Sequence, residues 1–89
     1  MIIKAIKIEP ETIIKIFEKH NVLAEEIYDV LKDDNPRYKK VGGNQYVAVG
    51  LSRSRYLTIF FEYEPITKEA EIKTAYPSSR EQIRSYKRE

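Results

Sequence analysis

The sequence predicts an α+β domain of helices packed on an antiparallel meander sheet, in the order β-α-α-β-β-β-β-α. Three observations carry this. Apolar residues recur at helical spacing between residues 10 and 34, then switch to a period of two from residue 37. Gly42-Gly43-Asn44 and residues 52–54 mark tight turns between the later runs. Four consecutive strands on short connections favour an antiparallel meander, with the early helices on one face.

Each element has a local reason. "IIKAIKI" (2–8) is rich in β-branched residues and stops before Pro10, which reads as a first strand. Glu9-Pro10-Glu11-Thr12 opens a helix, with proline in the first turn and carboxylates near the positive end of the dipole. Ile13, Ile14, Phe17 and His20 fall on its expected inner face, with Lys15, Glu18 and Lys19 outside. Asn21 suits a left-handed helix end. "LAEEIYDVLKDD" restarts the pattern with Leu23, Ile27, Val30 and Leu31 inward, and Asp33-Asp34-Asn35-Pro36 ends it. "RYKKV" (37–41) and "QYVAVGL" (45–51) form a hairpin. "RYLTIFFEYE" (55–64) is apolar on both faces and predicts a central strand. "EIKTAY" (71–76) is the last strand, and a helix follows after Pro77-Ser78-Ser79.

At 89 residues the chain is expected to form one domain, 1–89. It has no cysteine and a single histidine, so neither a disulfide framework nor a metal centre is expected, and no cofactor is implied. Its apolar runs fall far short of the ~20 residues that span a bilayer. The opening has no long apolar stretch of a leader, so a cytoplasmic domain without a membrane partner is expected. Net charge is +2 but uneven: residues 1–36 hold five Lys/Arg against eight Asp/Glu, and residues 37–89 eleven against six. A basic second part suggests an anionic partner. The two early helices do not suit DNA, because the second carries Glu25, Glu26, Asp29, Asp33 and Asp34, which phosphates would repel. Such a helix could instead face a basic partner.

Several stretches in order resemble one family. "KHNVLAEEIYDVLKD" is similar to the "KHGV-x-x-EE-x-x-x-V" junction of the BrnT family, ribonuclease toxins of type II toxin–antitoxin systems with a RelE-like fold. "IEPETIIKIFEKH" resembles that family's first strand exit and helix. "QYVAVGLSRSRYLTIFFEY" resembles its hairpin. "IKTAYPSSREQIRSY" resembles its closing "I-I-S-A-R-x-A-T-x-x-E-x-x-x-Y", through Ala75 and Tyr86. The likeness covers nearly the whole chain. Ile8, Asn21, Tyr76 and Gln82 stand where the family carries tryptophan, glycine, arginine and glutamate.

The resemblance implies a metal-independent endoribonuclease whose partners are RNA and a cognate antitoxin protein. Such cleavage needs a base for the 2′-hydroxyl, stabilisation of charge at phosphorus, and a proton for the leaving oxygen. His20 is the side chain whose ordinary pKa suits proton transfer near neutrality. Guanidinium groups bind phosphate bidentately. Arg53 and Arg55 flank a turn, Lys73 lies on the last strand, and Arg80, Arg84 and Arg88 recur every fourth residue. Tyr76 and Tyr86 are the tyrosines nearest that basic tail. The expected catalytic set is His20, Arg55, Tyr76, Arg80 and Tyr86; the expected RNA-binding set is Arg53, Lys73, Arg84 and Arg88. Tyr76 in place of an arginine implies the alternative, a catalytically degenerate RNA- or protein-binding module. A third expectation is association through a sheet edge, a homo-oligomer included.

Overall fold

A computed structural model describes residues 1–33, 36–53 and 55–88, without the side chains of Asp33 and Arg88. Strand β4 (Arg55–Glu64) organises the sheet. Leu57, Ile59, Phe61 and Tyr63 are buried on one side of it, and Thr58 is buried on the other. Strand β3 (Gln45–Ser52) pairs antiparallel with β4, Ala48 opposite Ile59, and β2 (Arg37–Gly42) pairs antiparallel with β3. Gly43, at φ 49°, supplies the left-handed position in the β2–β3 turn. Strand β5 (Glu69–Pro77) lies antiparallel on the other side of β4, with a register shift between Phe60 and Phe61.

Strand β1 (Ala5–Lys7) completes the sheet beside β5 in the order β1-β5-β4-β3-β2, with Ile6 opposite Ala70. It runs parallel to β5, so the sheet is mixed and not the antiparallel meander expected. The direction of β1 is not written in its own residues. The four-strand meander leaves β5 at its edge, and helix α1 (Pro10–His20) follows β1 after two residues and packs back onto β5. That return path sets the direction of the strand that precedes it.

Helix α1 ends at Asn21, whose left-handed backbone (φ 54°) lets its N–H donate to the Phe17 carbonyl at 2.9 Å. Helix α2 (Ala24–Tyr28) runs into a π-helical turn, Asp29–Asp33, where one longer helix was expected. Asp34 and Asn35, expected to end it, lie outside the described residues, as does Ser54 of the 52–54 turn. Val22, Ile27, Val30 and Leu31 join the core against Leu57, Ile59 and Phe61. Leu23, expected inward, is exposed at the head of α2.

The inner face of α1 also differs from expectation. Ile16 is 3% exposed, whereas Ile13, Ile14 and Phe17 are 38%, 57% and 48% exposed. The line facing the sheet is Thr12, Ile16 and His20, at four-residue spacing. Apolar residues cover a wide arc of this helix, so the spacing alone admits either face. Packing on β5 selects the one carrying Ile16.

Helix α3 (Arg80–Arg88) covers the opposite side of the sheet. Gln82 accepts a hydrogen bond from Thr58, and the Tyr86 ring meets that of Tyr56 at 5.4 Å. Helices therefore cover both faces of β4, which explains its two apolar sides.

If the Thr12–Ile16–His20 line is the inner face, Ile16→Ala lowers stability by about 2–4 kcal/mol. Ile14→Lys, on the expected inner face, stays within about 0.5 kcal/mol of wild type. Urea unfolding of both variants measures the difference; a larger loss for Ile14→Lys restores the original face.

Candidate functional site

The acidic second helix does face a basic partner, and that partner is the same chain. Glu26 is buried, and its Oε2 and Oε1 accept from Arg55 Nε and Nη2 at 3.0 and 2.8 Å. Oε1 also accepts the Leu23 N–H at 3.1 Å, satisfying an otherwise unpaired donor at the head of α2. Arg55 Nη2 reaches the Asn21 carbonyl as well, at 2.7 Å. One guanidinium thus ties the end of α1 and the start of α2 to the first residue of β4. The Arg55 guanidinium holds the Glu26 carboxyl below the usual carboxylate range, against the opposing pull of burial. The carboxylate in turn raises Arg55 above the usual guanidinium value. Next to it Arg53, at φ 56°, bonds Asp29 at 3.1 Å and approaches Glu25 at 3.9 Å.

Beyond this clamp, α1 and β5 enclose a cleft of about 280 Å³. Lys15, Lys19 and Lys73 line it with His20, Thr12 and Thr74. Lys73, itself exposed, has a half-buried carboxylate neighbour, Glu71, at 3.6 Å. Three lysines thus line the cleft with a half-buried imidazole, which gives it a basic rim. The His20 ring lies 5.8 Å from that of Tyr76, which continues to Phe60 at 6.2 Å.

Tyr76 is fixed from the α3 side. Ser79 and Gln82 form a capping box: Ser79 Oγ accepts the Gln82 N–H at 3.1 Å, and Gln82 Oε1 accepts the Ser79 N–H at 2.9 Å. Thr58 Oγ1 donates to the same Oε1 at 2.9 Å, and Ser78 Oγ lies 2.7 Å from Thr58 Oγ1. Gln82 Nε2 donates to the Tyr76 hydroxyl at 3.2 Å. The phenol oxygen therefore acts as acceptor, and its own proton is left to donate.

The structure thus brings His20, Tyr76 and Lys73 together and sets other expected residues apart. Arg55 has two nitrogens committed to Glu26 and Asn21, and Arg53 is held by Asp29, so both act within the fold. Arg80 and Arg84 are exposed on α3, and Tyr86 packs on Tyr56. The Arg88 side chain lies outside the described residues. From sequence alone Lys15 and Lys19 look merely solvent-facing, and Gln82 carries no expected role in the site. The signals were present: Lys15, Lys19 and His20 lie along one side of a helix, and Ser79-x-x-Gln82 is a capping-box pattern. No protein-family model matches the chain, and no curated protein matches it.

The clamp gives a pH dependence. Because the folded-state pKa of Glu26 is lowered, its contribution is complete above the ordinary carboxyl value of 4.5 and is lost as pH falls through the folded value. Glu26→Gln should cost about 2 kcal/mol at neutral pH. Its deficit relative to wild type should shrink on acidification from about pH 5 towards pH 2. Denaturant titrations across that range test this; a pH-independent deficit contradicts it.

Proposed function

We propose that the chain is a BrnT-like, RelE-fold toxin that cleaves RNA without a metal, in the cleft between α1 and β5. The observation that carries this reading is the 5.8 Å contact of His20 with Tyr76 beside the lysine-lined cleft. A proton acceptor, a proton donor and cations for phosphate then share one site, which is the minimum such a reaction needs.

In this reading Lys15, Lys19 and Lys73 hold the scissile phosphate and offset the charge that grows on its oxygens. His20 takes the proton of the 2′-hydroxyl as its oxygen bonds to phosphorus. The bond from phosphorus to the 5′-oxygen breaks, and Tyr76 gives that oxygen its proton. The products are a 2′,3′-cyclic phosphate and a 5′-hydroxyl. Arg80 and Arg84, exposed on α3, serve the RNA backbone on either side. The solvent-facing Ile13, Ile14 and Phe17 of α1 offer an apolar surface to a protein partner, in keeping with an antitoxin.

A second reading keeps RNA binding and drops cleavage. Tyr76, standing where the resembling family carries arginine, supports it.

Incubation of the purified chain with RNA in EDTA should yield 2′,3′-cyclic phosphate ends. His20→Ala should lower the rate by about 10²–10⁴-fold, and Tyr76→Phe by a smaller factor. Intact RNA at high protein concentration sinks the catalytic reading. Binding that weakens steeply with salt would then support the second, and cleavage gained by Tyr76→Arg would mark a degenerate enzyme.

A further inference from the structure

On the face covered by α3, the helix packs against β3, and a groove of about 510 Å³ lies between it and β2. Its size suits a small ring system with attached groups. Val41, Val47, Val49 and Phe60 provide an apolar floor. Gln82, Ser85 and Tyr86 of α3 form one wall, and Arg37 and Lys39 of β2 supply positive charge on the other side.

The groove is separate from the lysine cleft, but a run of ring contacts leads from it to His20. Phe60 in its floor contacts the Tyr76 ring, which contacts His20. Gln82 both lines the groove and donates to the Tyr76 hydroxyl. Its amide orientation is fixed, because the Ser79 backbone N–H can only donate and so must face the oxygen. One amide N–H goes to Tyr76, and among the described residues the second remains for a ligand acceptor. A flat apolar floor, an oriented amide donor and flanking cations match the face, edge and phosphates of one nucleotide. Only an unpaired base presents its face, since a duplex keeps its bases stacked.

We propose that this groove is a base subsite, which receives an unpaired base of single-stranded RNA next to the phosphate held at His20. The proposal rests on the RNA reading above and adds to it a preference for unpaired over duplex substrate.

The test uses the full chain with labelled Val and Ile methyls, titrated with an uncleavable 2′-O-methyl RNA octamer at low salt. Val41, Val47 and Val49 report the groove, Ile16 reports the lysine cleft, and the buried Val22 and Val30 serve as controls. The expected result is saturable ring-current shifts at the three groove valines together with a shift at Ile16. Abasic octamers should move Ile16 alone and bind about tenfold more weakly. Ser85→Trp, which fills the groove from the exposed side of α3, should abolish the valine shifts and keep that of Ile16. A response at Ile16 without the valines overturns the subsite and leaves the RNA reading standing. Equal valine shifts from an abasic octamer overturn it too, since backbone charge would then suffice. Silence at every methyl removes the RNA reading and the subsite with it.

Discussion

The Glu26–Arg55 ion pair is the interaction on which the placement of the site depends. Its carboxylate is buried and would be costly if left unpaired. The guanidinium meets it through two parallel bonds and spends another on the Asn21 carbonyl. Asn21 directly follows His20, so the clamp fixes the end of α1 against the sheet and limits where the imidazole can lie. An arginine that looks from sequence like a phosphate ligand is therefore committed to the junction of α1, α2 and β4. Its neighbour Arg53 does similar work at Asp29, on the solvent side of the same junction.

The two faces of β4 carry different chemistry. One is a closed apolar layer of Leu57, Ile59, Phe61 and Tyr63 beneath the early helices. The other has Thr58 at its centre, buried yet satisfied by Ser78 and Gln82. That small polar network is why α3 sits where it does, and it orients the Tyr76 phenol from the opposite side to His20. The candidate site thus forms at the sheet edge where the two layers meet, with α1 supplying the imidazole and α3 securing the tyrosine.

Much of the α+β arrangement could be read from residues whose effects are local. Pro10, Asn21, the Gly42-Gly43 turn and the alternation of 55–64 each act within a few positions, and each marks a feature the structure contains. What could not be read depends on partners far away in sequence. Ile13, Ile14, Ile16 and Phe17 leave the rotation of α1 undetermined until β5 is in place. The parallel direction of β1 follows from the path of α1, not from Ala5, Ile6 or Lys7. The pairing of Arg55 with Glu26 spans 29 positions, and that of Arg53 with Asp29 spans 24. Among the site residues, His20 and Tyr76 were singled out by side-chain chemistry. Lys15 and Lys19 were passed over, because a lysine beside a cleft and a lysine in solvent look identical in a helical pattern.

The clamp grips Asn21, the residue next to His20, and His20 lies beside Tyr76. The chain has a single histidine, so its ring protons are identified without ambiguity in a nuclear Overhauser spectrum. A cross-peak between the His20 and Tyr76 rings is predicted for the wild-type protein, as their centroids are 5.8 Å apart. In a folded Arg55→Met variant that cross-peak should weaken or vanish. Its absence from the wild type, or its full retention without Arg55, would contradict the account.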